Sequence, residues 1–481
     1  MIYSNMYRYD YLKAEKLTYG LFFLSAVGHN AIIQLCYRKD GLINMGKKHL
    51  SSVHVSHHKN TAACASEVMP IPDIVKISMS QHIGAPCKPL VAKGDYVKVG
   101  QKIGDTDAFV SAPIHSSVSG TVTGIEQARS AAGGYDTLVV IEPDKKQEIS
   151  EEVQIPEEPK DLAEFVADVR KAGIVGLGGA AFPTSIKFNP KNLDDVHYLV
   201  VNAAECEPYI TSDHRTMLED TEDLIRGCQL IMKYDGLDHG YIAIEDNKPD
   251  AIEHINKALK EHGIDNIETF SLQANYPKGA ERVLVYEIFG KVMNAGVLPA
   301  DMGCILDNVN TVTKVGHYFR TGVPLIAKKL TVDGDAVKEP KNVIVPIGTL
   351  VHDVIDYCGG YKEEPRKILM GGPMMGRAIP TDEMPIVKNN NAILAFSKEK
   401  AQVKMETACI ICGRCHQACP FDLIPTALAD AYERHDAQAL FDLDVNQCMN
   451  CGSCSYICPA HRPLAFMNTL GKSIVKEAGI K

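Results

Sequence analysis

Eight cysteines near the carboxyl end carry the clearest chemistry in the sequence. They form two runs with one spacing, C-x2-C-x2-C-x3-C-P. The runs are Cys409, Cys412, Cys415 and Cys419, and then Cys448, Cys451, Cys454 and Cys458. This spacing is typical of a chain that binds a [4Fe–4S] cube with three thiolates and gives its fourth to a partner cluster. The crossed pattern therefore predicts one cluster on Cys409, Cys412, Cys415 and Cys458, and a second on Cys419, Cys448, Cys451 and Cys454.

Zinc is the main alternative, because thiolates are soft donors that suit both zinc and iron–sulfur clusters. Zinc takes four ligands, usually as pairs of C-x2-4-C, so a three-then-one run followed by proline fits it poorly. The remaining cysteines are scattered along the chain, which disfavours a disulfide framework and indicates a reducing, cytosolic setting. Two clusters in one small domain move single electrons, so the rest of the chain must supply a donor, an acceptor or both.

Length and charge limit the other possibilities. A chain of 481 residues predicts about three or four domains. The net charge of −10, without a basic block, argues against a nucleic-acid partner.

The sequence predicts that residues 1–60 form an N-terminal extension. The stretch from Leu17 to Cys36 is apolar but interrupted by polar residues, whereas a membrane span needs about 20 mainly apolar residues. No signal-peptide pattern is clear. Met45 is the predicted start of the natural protein, and a membrane-touching helix is the alternative.

Residues 61–150 predict a compact β module, because short β runs at 91–104 and 110–122 are separated by Gly-Asp and Ser-Gly turns. The two runs resemble the barrel-sandwich fold of biotinyl and lipoyl carrier domains. Carriers need a lysine in the hairpin between such runs, and residues 105–110 contain none. We therefore expect the module to pack against another part of the chain.

Residues 151–325 predict the region that binds a nucleotide or flavin. A helical pattern over 161–171 runs into a glycine-rich loop whose candidates are Gly176, Gly178, Gly179, Phe182 and Lys187. The dinucleotide fingerprint follows a strand, whereas these glycines follow a helix, so an ordinary Rossmann fingerprint does not fit in detail. Glycines still let backbone N–H groups approach a phosphate or a flat ring.

Further polar positions follow in three loops. A hydrophobic strand ends at Asn202, and the other candidates are Glu205, Glu207, Tyr276, Gly279, Glu281, Asn308 and Thr311. Open α/β sheets bind ligands at the carboxyl edge of their strands, so these loops suit a ribityl chain, a phosphate and a nicotinamide ribose. Ordinary capped turns remain the alternative at this point.

The glycine-rich loop through Lys187 resembles the FMN loop of the NADH-oxidising flavoprotein subunit of respiratory complex I. The later loops resemble that family's FMN and NADH loops in the same order. The whole order, with residues 57–60, 81–84, 245–249 and 371–376, resembles the C subunits of the Rnf ion-translocating ferredoxin–NAD oxidoreductases from about residue 50 to the end.

This resemblance implies two [4Fe–4S] clusters, FMN and NAD(H), with Glu205 and Lys187 as catalytic candidates and the loop residues above as cofactor contacts. Ala204 and Ala280 stand where the complex I family has acidic residues, so those two contacts do not carry over. The implied fold is multidomain α/β plus β. It comprises the barrel-sandwich module, a Rossmann-like α/β flavin domain at 151–325, a β-grasp (soluble-ligand-binding) domain at 326–398 and a helical two-[4Fe–4S] ferredoxin-like domain at 399–481.

The resemblance implies an oxidoreductase (translocase) subunit on the cytoplasmic side of the cell membrane, peripherally bound. Its expected partners are an iron–sulfur subunit, integral membrane subunits and, indirectly, ferredoxin. Two other functions remain open: an electron-wiring and docking subunit without its own nucleotide chemistry, and a soluble flavin-based dehydrogenase that acts alone.

Overall fold

A computed structural model describes residues 36–38, 41–43, 50–131 and 133–480. The chain divides into two compact units, Met1–Leu50 and Ser51–Lys481. In the first unit, β1 (Cys36–Arg38) and β2 (Gly41–Ile43) pair as antiparallel strands. The predicted start at Met45 lies outside the described residues, as does almost all of the apolar stretch before it. Within the described ranges, no helix combines the length and apolarity needed to cross a membrane.

In the second unit, β3 (Ser66–Val68) precedes the predicted β module. The strands of the module are β4 (Val75–Ser78), β5 (Lys88–Pro89), β6 (Tyr96–Val97), β7 (Lys102–Asp105), β8 (Ile114–His115), β9 (Gly120–Arg129) and β10 (Tyr135–Pro143). One sheet has the order β4-β10-β9-β6 and the other β5-β7-β8. Apolar side chains from both sheets, including Ile77, Ile103 and Val139, form one buried core. The module is therefore the compact all-β sandwich that the sequence predicts.

The central α/β region contains a four-stranded parallel sheet. Its elements are α1 (Leu162–Lys171), α2 (Thr184–Lys187), β11 (Tyr198–Ala203), α3 (Ser212–Glu219), α4 (Thr221–Asp235), β12 (His239–Glu245), α5 (Pro249–Glu261), β13 (Ile267–Leu272), α6 (Glu281–Phe289), β14 (Cys304–Asn308) and α7 (Val309–Thr321). The strand order is β13-β12-β11-β14. Along β11, Leu199 and Val201 enter one buried core and Val200 enters another. Burial on both faces explains the uninterrupted apolar run of this strand.

The β module packs against this region, as its lack of a carrier lysine led us to expect. The backbone N–H of Ile83 donates to the carbonyl of Ala181 at 3.0 Å. The buried Lys388 side chain donates to the carbonyls of Pro113 in the module and Gly173 before the glycine loop, at 2.8 and 2.7 Å. Burial lowers the pKa of Lys388 to about 7.

A mixed sheet follows. Its elements are β15 (Ala327–Asp333), β16 (Lys341–Pro346), α8 (Val351–Tyr357), β17 (Lys367–Met370), β18 (Arg377–Ile379) and β19 (Ala392–Phe396). β15 and β16 are antiparallel and α8 comes next, so the predicted ββα order is present. The full sheet has the order β18-β17-β19-β15-β16-β3. Its last strand, β3, precedes the β module in the chain and pairs in parallel with β16.

The cysteine runs lie in a small helical region. Its helices are α9 (Arg414–Gln417), α10 (Pro425–Glu433), α11 (Ala437–Asp442), α12 (Ser453–Tyr456) and α13 (Leu464–Glu477). The sequence between the runs predicts helix with a break near Asp436. In the structure, Asp436 caps α11, since its carboxylate accepts a hydrogen bond from the N–H of Ala439 at 2.9 Å. Leu428, Leu440 and Val475 belong to the core of this region.

Candidate functional site

The two cysteine runs cross over each other in the folded chain. One cavity is lined by four cysteines that we call the inner set: Cys419, Cys448, Cys451 and Cys454. A second cavity is lined by four that we call the outer set: Cys409, Cys412, Cys415 and Cys458. Each set takes three cysteines from one run and the fourth from the other. These are the groupings that the crossed spacing predicts.

The two runs have the same local backbone. Ile411 and Asn450 both have positive φ, 55° and 59°, and a positive-φ glycine follows each of them before α9 and α12. The N–H of Ile411 points at the Sγ of Cys409, and the N–H of Asn450 at the Sγ of Cys448, both at 3.4 Å. N–H groups aimed at the sulfurs are one of the contacts that tune iron–sulfur clusters.

The donor sets fit iron–sulfur clusters. Across 50–131 and 133–480, no three His, Cys, Asp or Glu side chains are grouped as the ligands of one metal ion would be; each cysteine set instead surrounds a shared cavity. Four soft thiolates around one space are the donors that a [4Fe–4S] cube takes.

The glycine-rich loop lies against the beginning of α7. The N–H of Gly176 donates to the carbonyl of Phe182 at 2.8 Å, which closes the loop. The N–H of Leu177 donates to the hydroxyl of Thr311 at 2.9 Å. A Cβ added to Gly178 would lie 3.1 Å from the Cβ of Asn308. Gly178 and Gly179 are themselves exposed, so the loop combines close packing on one side with open backbone on the other.

The sheet edge brings together three of the predicted positions. Asn202 at the end of β11 pairs in register with Asn308 at the end of β14. The side-chain amide of Asn202 donates to the carbonyl of Gly279 at 2.8 Å. A Cβ on Gly279 would lie 2.6 Å from the carbonyl oxygen of Ala204, so a larger residue does not fit there. Three loops distant in sequence therefore converge at one carboxyl edge.

Lys187 faces an acidic pair. Its Nζ donates to the carbonyl of Leu306 at 3.1 Å and lies 3.4 Å from the Oδ1 of Asp307. Burial raises the pKa of Asp307, and Lys187 opposes the shift. Burial likewise raises the pKa of Glu281, again opposed by Lys187. Among the described residues, the Oδ2 of Asp307 has no hydrogen-bond partner, so the site retains an unpaired acceptor beneath the loops.

The carboxylates of Glu205 and Glu207 hold neighbouring backbone segments. Glu205 accepts hydrogen bonds from the N–H groups of Asp213 and His214, at 2.7 and 3.4 Å, at the start of α3. Glu207 accepts from the N–H groups of Met374 and Met375 at 2.9 and 2.8 Å. Burial raises the pKa of Glu207, and these two N–H groups act against the shift.

Tyr276 and Arg282 connect this edge with the inner set. Tyr276 is buried, and its hydroxyl donates to the carbonyl of Cys451 at 2.6 Å. Arg282 donates to the carbonyl of Gln447 at 2.8 Å, and its guanidinium lies 3.7 Å from the ring centre of Phe421. The segment that carries Tyr276, Gly279 and Glu281 thus lies between the sheet edge and the inner cysteines.

The sequence did not indicate two of these residues. Arg282 is distant in sequence from its partner Gln447, and no local sequence pattern predicts such a contact. Asp213 accepts hydrogen bonds from the side-chain amides of Asn308, at 2.8 Å, and Asn310. Burial, and then the nearby Glu205, raise the pKa of Asp213 to about 6. Its closeness in sequence to Glu205 was the one available signal.

Four protein-family models match segments of this chain. They are the RnfC barrel sandwich hybrid domain over residues 48–146, the Nuo51 FMN-binding domain over 169–317, the SLBB domain over 329–378 and the 4Fe-4S dicluster domain over 401–459. The chain is therefore multidomain, with an FMN-binding domain and an iron–sulfur domain among its parts.

Three C subunits of ion-translocating complexes are similar over most of the chain. The first comes from the proton-translocating ferredoxin:NAD(+) oxidoreductase complex of Clostridium ljungdahlii and is 43% identical over 80% of this chain and 84% of the relative. The second comes from the Na(+)-translocating ferredoxin:NAD(+) oxidoreductase complex of Acetobacterium woodii and is 42% identical over 76% and 82%. The third comes from the ion-translocating oxidoreductase complex of Rhodobacter capsulatus and is 38% identical over 78% and 73%.

Proposed function

This chain belongs to the family of C subunits of ion-translocating ferredoxin:NAD(+) oxidoreductase complexes, and from that premise we propose that it passes electrons between ferredoxin and NAD(H) within such a complex. Its cofactors in this role are two [4Fe–4S] clusters, FMN and NAD(H). Ferredoxin is an indirect partner, reached through other subunits.

One observation carries the proposal. The loop that begins with Tyr276 contacts both the candidate flavin edge and the inner cysteines. The Tyr276 hydroxyl donates a hydrogen bond to the Cys451 carbonyl, and the Gly279 carbonyl accepts one from the side-chain amide of Asn202. A cluster held by the inner set is thereby adjacent to the flavin region. That adjacency is what electron exchange between the two requires.

The chemistry fits the cofactors. A flavin exchanges the two electrons of a nicotinamide hydride for the single electrons that iron–sulfur clusters take. The glycine-rich loop, with Gly176, Gly178 and Gly179, offers open backbone to a phosphate or ring. Lys187 supplies positive charge at the same edge. Glu205 holds the start of α3 in place and, with Lys187, is our proposed catalytic pair.

Further contacts with the flavin and the nicotinamide are assigned to loop side chains and backbone at the same edge. These are Phe182, Asn202, Glu207, Tyr276, Gly279, Glu281, Asn308 and Thr311.

The finer architecture is part of the proposal. We assign a Rossmann-like flavin domain to 151–325, supported by the parallel sheet β13-β12-β11-β14. A β-grasp domain is assigned to 326–398, supported by its ββα order. The β module occupies 61–150, the two-cluster domain 399–481, and an extension 1–60.

The place of the chain in the cell is also proposed. By its family membership, we place it peripherally on the cytoplasmic side of the membrane, bound to an iron–sulfur subunit and to integral membrane subunits of the same complex.

The test is anaerobic purification of the chain, followed by iron and flavin analysis and addition of NADH. We expect about eight iron atoms per chain, as two four-iron clusters require, and one FMN whose visible absorbance NADH bleaches. Two zinc atoms in place of iron would contradict the cluster assignment. Bound flavin that NADH leaves oxidised would contradict the nucleotide chemistry.

A second function is favoured by the carboxylates themselves. The carboxylate oxygens of Glu205 and Glu207 accept hydrogen bonds from backbone N–H groups. Ala204 and Ala280 stand where the complex I family has acidic residues. These features suit an electron-wiring and docking subunit without its own nucleotide chemistry. Eight iron atoms with no NADH-reducible flavin would establish it.

A further inference from the structure

A short segment before the β module lies across the candidate site. We call Val53–Asn60 the strap. Val53 exchanges two backbone hydrogen bonds with Tyr276, at 2.8 and 2.9 Å, and the N–H of Tyr209 donates to the carbonyl of His57 at 2.8 Å. The strap therefore touches two of the loops that converge on the sheet edge.

Lys59 of the strap is the centre of these contacts. Its Nζ donates to the backbone carbonyls of Glu205, Glu207 and Ile210, at 2.7, 2.8 and 2.6 Å. A lysine ammonium has three donors, so all three are used on one short loop. The carbonyl oxygens face inward to this cation and would lose their common partner without it.

The same loop carries two carboxylates that hold other segments. Glu205 bonds the start of α3, and Glu207 bonds the N–H groups of Met374 and Met375. A displaced Glu205–Ile210 backbone would move both of these anchors together. Lys59 thus acts on the site through the loop and not by direct contact with a reacting group.

The strap also reaches the inner set. Val53 and Val55 are buried in one apolar cluster with Tyr276, Ala418 and Cys451. Met374, whose N–H Glu207 holds, packs at the edge of that cluster. The strap is consequently in contact with the flavin-side loops and with the cysteine loops at once.

We propose that Lys59 is a positioning residue that fixes the candidate flavin loops relative to the inner cysteine set. The consequence rests on the proposed function: loss of the Lys59 donors slows electron exchange between the flavin and the inner cluster. Because the same loop carries Glu205, it slows reduction of the flavin by NADH as well.

The test compares Lys59→Met, which keeps the length of the side chain but cannot donate, with Lys59→Arg, which keeps the charge and donors. Ser56→Ala, at an exposed position of the strap, is the matched control. Stopped-flow absorbance under anaerobic conditions separates flavin reduction by NADH from the later reduction of the clusters. Hydrogen exchange of the 205–213 and 372–376 segments, measured on flavin-free protein, reports the loops directly.

For Lys59→Met we expect unchanged iron content, slower flavin reduction by NADH and faster hydrogen exchange in both segments. The flavin-to-cluster step is followed separately, after a light pulse that photoreduces the flavin with EDTA as the electron donor, and should slow about 10-fold, as a small misplacement can cost. Lys59→Arg should lie between Lys59→Met and the wild type, and it serves as the test variant if Lys59→Met does not fold. A flavin-to-cluster step at the wild-type rate in Lys59→Met, or unchanged hydrogen exchange in both segments, would overturn the proposal.

If NADH does not reduce the wild-type flavin, the proposed function fails on its own. A light pulse that photoreduces the flavin, with EDTA as the electron donor, starts the same flavin-to-cluster step without NADH. Slower cluster reduction in the Lys59 variants would still support the positioning role, and equal rates would refute it.

Discussion

The outer and inner cysteine sets share a spacing and a backbone but not an environment. Beside the outer set, Ile410 and Ile411 are 65% and 89% exposed, and Cys412 is exposed. In the inner set, Cys419, Cys451 and Cys454 are buried. In the inner set, the carbonyl of Cys451 also accepts a hydrogen bond from the hydroxyl of Tyr276, which lies in the flavin-side part of the chain.

This difference shows that one motif, used twice, can serve two positions in a pathway. Cluster potentials depend on burial and on hydrogen bonds to the sulfurs, and the two sets differ in both. The inner set faces the flavin region and the outer set faces solvent. We therefore assign the inner cluster to exchange with the flavin and the outer cluster to exchange with a partner.

The largest expected effect tests which cysteines belong together. Replacing Cys419 and Cys448 with alanine should remove only the inner cluster, because both lie in one set. Iron should fall from about eight to about four atoms per chain. Replacing Cys409 and Cys458 should remove only the outer cluster. If either pair of substitutions abolishes both clusters, the crossed grouping is wrong.

The next effect concerns metal removal. A chelator added to the reduced protein should release iron in two phases, with the outer cluster lost first because its loops are exposed. We expect the phases to differ about tenfold or more in rate, since opening a buried site costs a few kcal/mol and each 1.4 kcal/mol is a factor of ten. Electron paramagnetic resonance of the two cysteine-pair variants assigns each phase. A single phase would mean that the two environments are equivalent.

A smaller effect is expected from Tyr276→Phe. The substitution leaves the buried carbonyl of Cys451 without its donor, which costs about 1–3 kcal/mol. The inner cluster should therefore be lost at lower urea concentration while the outer cluster keeps its midpoint. Tyr456→Phe, at a half-exposed tyrosine of the two-cluster domain, is the matched control. Equal shifts of both clusters would show that the hydroxyl acts on the domain as a whole.

The smallest effect concerns one contact to sulfur. The amide of Asn468 lies 3.5 Å from the Sγ of Cys448 and donates to it. Removing it in Asn468→Leu should lower the midpoint potential of the inner cluster by about 40 mV, the equivalent of about 1 kcal/mol in a one-electron couple. The outer cluster is the internal reference in the same potentiometric titration. An unchanged inner potential would show that this hydrogen bond does not tune the cluster.

The sequence was most informative where the chemistry is local. The cysteine spacing is local, and the members of each predicted ligand set line one cavity; that each set binds a cluster stays a prediction. The break near Asp436 and the apolar run of β11 are local as well, and both predictions were confirmed. The predicted contacts of FMN and NAD(H) stay predictions, although the structure places Asn202, Gly279 and Asn308 at one sheet edge.

What the sequence could not indicate are contacts between distant segments. Glu207 and Met374 are 167 residues apart, and Lys59 lies 146 residues from Glu205. No periodicity or spacing reports such pairs. The sequence assigned Lys59 to an N-terminal extension over residues 1–60, whereas the structure places Ser51 onward in the larger compact unit. The strap and its role follow only from the folded chain.

The most direct test of the assigned order is NADH reduction of the two cysteine-pair variants, followed by rapid-freeze electron paramagnetic resonance. In Cys419→Ala/Cys448→Ala, which lacks the inner cluster, NADH should bleach the flavin. The outer cluster should remain oxidised over the time in which it becomes reduced in the wild type. Without the outer cluster, in Cys409→Ala/Cys458→Ala, the inner cluster should still be reduced at the wild-type rate. Rapid reduction of the outer cluster in the absence of the inner one would contradict the account.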